Sequence, residues 1–303
     1  MTTGMNQFII CQGYAKKGMK AVVIGAILNI ILDPVFIFVF HMGVASAAIA
    51  TVISQMCSCL YVLAILFSKQ IPIAITFGHY QFGIMKRVFL IGLSPAVIVA
   101  SDNIILIALN TLLQKYGGVE RGDMLLTCAT IVQSFMLIIT MPLGGITSGT
   151  QTILGYNYGA SKPERVISAE KYILLLCICF TTIMFCFSHT VPQYFVYLFT
   201  QNPEYVSVSV AAIKIYSLFV IPLAIQYVVV DGFSGMGLAQ YAITLSMFRK
   251  TVFVIFIFIL PRFFDITAIF YAEPISDIAS AAISGIFFLC SIKRILYKGV
   301  SLS

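Results

Sequence analysis

Eight apolar runs, each long enough to cross a bilayer as a helix, limit what this chain can fold into. Residues 21–40, 44–67, 88–113, 125–146, 172–191 and 206–230 are almost free of charge. About 20 such residues in a helix rise roughly 30 Å, the thickness of the hydrocarbon core. Two further runs, 240–260 and 268–289, carry charge: Arg249 and Lys250 in the first, and Glu273, Pro274 and Asp277 at the start of the second. With 60% of 303 residues hydrophobic and 10% charged, the chain lies outside the range of soluble domains. Soluble enzymes, nucleic-acid binders and disulfide-stapled secreted domains are excluded as first readings. The expected fold is all-α, a polytopic integral membrane protein of about eight transmembrane helices.

The formal charge of +7 comes from small Lys/Arg clusters between runs, where it sets topology rather than recruiting a nucleic acid. If all eight runs cross, one side receives 14 of the 18 basic residues, Arg249 and Lys250 among them. The other receives Lys115, Arg121 and Arg262, and Lys214 falls within a span. The asymmetry places both termini in the cytoplasm of a plasma (inner) membrane protein. The eight cysteines lie mostly inside the apolar runs without a CxxC spacing, so they read as small apolar residues. No HExxH, GxSxG or phosphate-loop pattern points to an enzyme, and no metal site is expected.

Organisation follows from the connections. Residues 68–87 form the longest cytoplasmic stretch, with Ile71, Ile73, Ile75, Phe77, Tyr80 and Phe82 suited to the membrane interface. The expected division is 1–67, two helices; 68–87, a linker; and 88–303, six helices. MTTGMNQF leads at once into a Gly-Lys turn with neither a signal peptide nor a span, so the chain is expected to start mid-architecture. A shift of 222 residues lays Gly13 on Gly235, Ser54 on Ser276 and Ser58 on Ser280. The order of turns and spans repeats with it, as a parallel repeat about the membrane normal requires. By that repeat about four helices are absent from the first bundle.

Asp33 is the leading candidate for chemistry. A carboxylate inside a span costs about 3 kcal/mol or more unless it meets a partner or a wet cavity. Asn29 lies one turn earlier on the same face, and Pro34 frees the Ile30 carbonyl and favours a bend. These oxygens suit Na⁺, the carboxyl suits a proton, and a structural hydrogen bond at a kink is the competing reading. Asp102 is a second intramembrane acid. Pro95, Pro142 and Pro222 also interrupt spans as candidate kinks or hinges. Gln133, Met136, Met141, Gln226 and Tyr227 are polar or pliable enough to line a cavity for varied ligands. Gly155, Gly159, Gly235 and Gly237 are expected at turns needing positive φ, and Asp231 at a polar helix end.

Five stretches carry a resemblance. QGYAKKGM (12–19), NIILDPVF (29–36) and GVASAAIAT (43–51) resemble the fourth-loop, fifth-helix and sixth-helix signature of the multidrug and toxic compound extrusion (MATE) family. MPLGGITSGTQTILGYNYGA (141–160) is similar to its eighth-helix ending, and AEPISDIA (272–279) to the start of its twelfth helix. The resemblance implies twelve helices in two six-helix lobes, so that the first four are lacking here. It also implies cation-coupled multidrug efflux by alternating access, with Na⁺ or H⁺ as coupling ion and no other cofactor. The implied partners are amphipathic, cationic small molecules and membrane lipids. Asn29 and Asp33 match the family's fifth-helix cation site, and Asp102 matches more loosely an acid of the seventh helix. The tenth-helix acid of some members falls on Leu223, which puts a two-carboxylate site there in doubt. A lipid or lipid-linked oligosaccharide flippase of the same superfamily and a non-transporting fragment remain the alternative readings.

The charge asymmetry makes a prediction. With the native cysteines replaced, a single Cys at Lys162 should resist a membrane-impermeant thiol reagent applied to intact cells. Strong labelling from outside would reverse the orientation.

Overall fold

The computed structural model describes residues 2–41, 43, 45–68, 71, 73, 78 and 80–300. Lys69, Ile75, Phe77 and His79 lie outside the described residues, as do the side chains of Arg87, Pro95 and Lys298. The described residues form ten α-helices with one π and one 3₁₀ segment and no strand. They divide into two compact units, Met1–Gln81 and Phe82–Ser303.

The first unit holds α1 (Thr2–Cys11), α2 (Ala15–Pro34) and α3 (Ala45–Leu66). Helix α1 was not expected from the sequence. It buries Ile9 and Asn6, and the Asn6 amide donates to the Gly18 carbonyl at 3.2 Å. Helices α2 and α3 meet through small residues: a Cβ on Gly25 would lie 3.2 Å from Ser58, and the Ser58 hydroxyl donates to the Ala21 carbonyl at 2.6 Å. In hydrocarbon, where large side chains gain nothing by leaving lipid for protein, such close approach is what makes helix packing favourable. At Pro34 the chain does not stop but loosens into a π segment, Val35–Val39, closed by Phe40 N–H donating to Val35 O at 3.2 Å. The wider turn absorbs the missing proline N–H, the usual origin of such a bulge.

The second unit begins with α4 (Phe82–Gly159), so residues 82–87 are helical. A positive φ of 66° at Gly118 folds α4 into two arms, which provide the spans Ala96–Gly118 and Arg121–Gly159. Gly117 and Gly122 allow the turn, since a Cβ on Gly117 would stand 2.7 Å from the Gly122 Cα. The arms share a core in which Leu109, Leu113, Leu125 and Phe135 are buried. Then follow α5 (Pro163–Thr190), α6 (Pro192–Val196), α7 (Pro203–Tyr216), α8 (Val220–Gly235), α9 (Ala239–Phe263) and α10 (Ala272–Val300). Helices α5, α6 and α7 open on proline, where its fixed φ helps and no hydrogen bond is lost.

Seven helices among the described residues are long and apolar enough to cross a membrane, and α7 with α8 makes an eighth, bent by 52°. The eight expected spans are present, but the sixth is not the uninterrupted stretch its hydropathy suggests. Pro222 lies in the first turn of α8 and cannot donate to the Leu218 carbonyl, while Ser217 turns its hydroxyl back to Ile213 O at 2.8 Å. Pro142 lies inside the continuous second arm of α4, and Pro95 inside the first. Side chains such as Ile30, Phe38, Leu175 and Leu289 remain exposed, as lipid-facing positions would.

The glycine expectation needs correction. Gly237 has φ 76°, but Gly155, Gly159 and Gly235 are helical residues without positive φ. Gly155 and Gly235 are required instead by a crossing: a Cβ on Gly155 would meet Gly235 O at 2.6 Å, and one on Gly235 would meet Gln151 Cα at 2.9 Å. Between α9 and α10 the 3₁₀ segment Ile266–Tyr271 is capped by Asp265, whose carboxylate accepts from Thr267 Oγ1 at 2.8 Å. That bond holds the Asp265 carboxyl below the usual carboxylate range.

Gly235→Ala should therefore cost about 1–3 kcal/mol through forced separation of α4 and α8. Gly149→Ala, in open space within α4, should be neutral or stabilising by about 0.5–1 kcal/mol. Thermal unfolding in detergent distinguishes them, and equal midpoints for the two variants would contradict the close crossing.

Candidate functional site

In the first unit the candidate site is built on facing helices. Asn29 and Asp33 are separated by one turn of α2, and the Asn29 amide donates to Asp33 Oδ1 at 3.4 Å. The same nitrogen lies 3.4 Å from Thr51 Oγ1 on α3. Thr51 belongs to the quoted sixth-helix signature, yet nothing in that stretch singled it out; only the α2–α3 contact places it beside Asn29. A cavity of about 440 Å³ is lined by Asn29, Thr51, Asn6, Ser54 and Gln55, with Asp33 outside its lining.

In the second unit charge is concentrated between three helices, α4, α9 and α10. Glu273 and Asp277 stand one turn apart in the opening of α10 and so point the same way. Arg249 reaches them from the middle of α9: Nη2 lies 2.5 Å from Glu273 Oε1 and 2.8 Å from Asp277 Oδ1, with Nε donating to the same Asp277 oxygen at 2.9 Å. The Asp277 side chain is fully buried. Lys250, the next residue, is turned about 100° around the helix and faces α4. Its Nζ lies 2.7 Å from Asp102 Oδ1 and donates to the Ile98 carbonyl. Pairing offsets much of the cost of carrying these charges inside helices.

This overturns the assignment of Arg249 and Lys250 to the cytoplasmic side. Both lie mid-helix, which changes the division of basic residues from 14 against 3 to 12 against 3, with Lys214, Arg249 and Lys250 in spans. The run 240–260 already contains both; what hydropathy does not give is their partners, which three helices bring together.

Two cavities of about 330 and 450 Å³ adjoin this cluster, and Asp102, Tyr227, Arg249 and Lys250 line both. Gln226 lines the first, Gln133 and Met136 the second. Met141 is exposed and lines neither, and Lys214 is exposed on α7. Leu223 is fully buried in the apolar core, with no acid in its place.

Asp231 is not a polar helix end. It lines the smaller cavity, accepts from Gln151 Nε2 at 3.1 Å and is hydrogen-bonded by Thr147 Oγ1. Thr147 and Gln151 are one turn apart on α4 and reach it together. Nearby, Glu170 on α5 is buried, and neither of its oxygens has a partner among the described residues. It presses on α8 so closely that a Cβ on Gly232 would lie 2.1 Å from Glu170 Oε1. Nothing in the sequence singles out Glu170, which stands beside Lys171 just ahead of the run 172–191. No cluster of metal-ligating side chains occurs among the described residues.

Residues 96–260 match the MatE family model. The chain belongs to the MATE family. Among similar proteins, the multidrug export protein MepA of Staphylococcus haemolyticus is 22% identical over 88% of this chain and 58% of its own length. That of Staphylococcus aureus (strain bovine RF122) is 23% identical over 90% and 60%. The fold matches a multidrug resistance MATE transporter of the MOP superfamily, solved in an outward-facing conformation, with TM-score 0.90 and 22% identity, covering 97% of this chain and 66% of that one. This MATE chain thus spans about 60% of the length of the relatives it matches. It is a multi-pass membrane protein of a transporter family, not an enzyme.

In this MATE chain, Arg249→Met should lower stability by about 3–5 kcal/mol, because it strands Glu273 and Asp277 without a counter-charge. Adding Asp277→Leu should recover a large part of that loss. A double-mutant cycle from unfolding in detergent measures the coupling, and additive losses would contradict a tight Arg249–Asp277 pair.

Proposed function

We propose that this chain serves cation-coupled multidrug efflux by alternating access, with amphipathic organic cations as substrates and Na⁺ or H⁺ as the coupling ion. The observation that carries the reading is the pair of mixed-polarity cavities in the second unit, lined by Gln133, Met136, Gln226, Tyr227 and a paired charge cluster. Pliable Met, amphipathic Tyr and amide side chains accept ligands of varied shape. Membership of the MATE family and similarity to proteins named for multidrug export support it. A lipid-linked sugar flippase would need a larger and more basic chamber. Here both cavity cations are already paired with carboxylates.

Coupling is assigned to Asp33 with Asn29, and Thr51 joins them as a third oxygen donor. The carboxylate, amide and hydroxyl oxygens are hard ligands of the kind Na⁺ takes, and protonation of Asp33 offers the H⁺ alternative. Asp102 has a smaller part in coupling, since Lys250 already neutralises it. The orientation that goes with this reading has both termini in the cytoplasm of the plasma membrane.

The test is export driven by an imposed Na⁺ or pH gradient in membrane vesicles, measured for both variants in the full-length, twelve-helix context. Asp33→Asn keeps side-chain volume and one carbonyl oxygen but removes the charge, so gradient-driven export should be abolished while insertion persists. Asp102→Asn should cause a smaller loss. Equal or greater loss from Asp102→Asn, with Asp33→Asn near wild type, would move coupling to the second unit.

A further inference from the structure

The ammonium of Lys250 sits where a cation-binding protein would hold its ligand. It is gripped by two oxygens of one turn of α4, the Ile98 carbonyl and Asp102 Oδ1, the latter at 2.7 Å. The two partners are unequal in exposure. Lys250 is nearly enclosed, at 10%, whereas the Asp102 side chain is 62% exposed and borders both cavities. A ligand in either cavity therefore reaches the carboxylate without first displacing any packing. What it must displace is the charge interaction with Lys250.

We propose that Lys250 is a tethered counter-cation: it fills the Asp102 site when the cavity is empty and competes with organic cations for that carboxylate. The inference rests on the reading of these cavities as the ligand site and adds the residue that sets their affinity for positive charge. The neighbouring Arg249 cannot take over the role, because Glu273 and Asp277 already hold its guanidinium through Nε and Nη2. An empty cavity with Lys250 in place has no uncompensated charge at Asp102, which lowers the cost of a polar chamber between apolar helices. A bound organic cation takes over the carboxylate. Once it leaves, Lys250 restores the pair from a fixed position, at high effective concentration. Release is thereby favoured and tight retention prevented, as an exporter working on varied ligands requires.

The experiment is equilibrium binding of tetraphenylphosphonium, a permanently charged amphipathic cation, to the purified full chain in detergent. Neutral triphenylphosphine oxide serves as the control. Lys250→Gln should bind tetraphenylphosphonium about tenfold tighter than wild type, the range of a close charge pair freed for a ligand. Affinity for the neutral control should stay the same. Asp102→Asn should weaken cation binding below wild type, because Lys250 then stands uncompensated. Adding Lys250→Gln to that variant should restore part of the loss, a second reading that does not depend on Lys250→Gln folding alone.

If Asp102→Asn weakens binding but Lys250→Gln leaves it unchanged on both backgrounds, the tethered cation is refuted and the cavity remains the ligand site. Unchanged affinity in all variants would place the cation elsewhere and overturn the cavity reading as well.

Discussion

A charge inside a membrane-spanning helix has to meet an opposite charge, and in the second unit that requirement fixes how three helices are joined. Helix α9 carries two adjacent cations that point in different directions. Arg249 is taken by Glu273 and Asp277 of α10, Lys250 by Asp102 of α4. Because consecutive residues of a helix diverge by about 100°, one dipeptide ties α9 to both neighbours. Rotation of α9 would strand at least one of these charges. The same pairing leaves two cavities of mixed polarity beside it, since charged side chains held at the helix faces line that space.

Close approach of backbones supplies the complementary part. Hydrocarbon offers little reason for large apolar side chains to leave lipid, so the helices here touch through small residues. Ala21, Gly25, Ser54 and Ser58 line the α2–α3 contact, and Gly155 and Gly235 the α4–α8 crossing. Glu170 against Gly232 is an extreme case, a carboxyl group lying where a Cβ would be. Departures from regular helix are also absorbed locally. Pro34 is followed by a π segment, and Pro222 stands at the start of α8 beside the 52° bend. Beside them Phe40 N–H pairs with Val35 O and the Ser217 hydroxyl with Ile213 O, the local pairing a low-dielectric surrounding favours.

Family membership and site chemistry rest on different kinds of observation. The MATE match covers residues 96–260, which include Asp102, Gln133, Gln226, Tyr227, Arg249 and Lys250. It does not reach Asn29, Asp33 and Thr51, whose grouping rests on the α2–α3 geometry and on sequence resemblance. The relatives named for multidrug export are roughly one-fifth identical, so the family rests on the match over residues 96–260, while the ligand-facing chemistry has to be read from the side chains of this chain.

The sequence by itself determined the all-helical membrane architecture, the number of spans and their order, because those depend only on the length of apolar runs and the rise of a helix. It also exposed Asp33 and Asn29, since an acid and an amide one turn apart inside an apolar run are visible without any partner. Gln133, Met136, Gln226 and Tyr227 were legible as cavity candidates, but Met141 was not distinguishable from them until its exposure on α4 was seen. What only the tertiary structure decided was the meaning of the charges in the last two spans. Arg249 and Lys250 fall to the cytoplasmic side when basic residues are divided between the two faces, Asp231 looks like a helix end, and nothing in the sequence singles out Glu170. Each is explained by groups between 28 and 152 residues away: Asp277 for Arg249, Asp102 and Ile98 for Lys250, Thr147 and Gln151 for Asp231, Gly232 for Glu170. Periodicity and hydropathy are properties of neighbours along the chain. The cost of a buried charge is set by neighbours in space, and only packing brings those together.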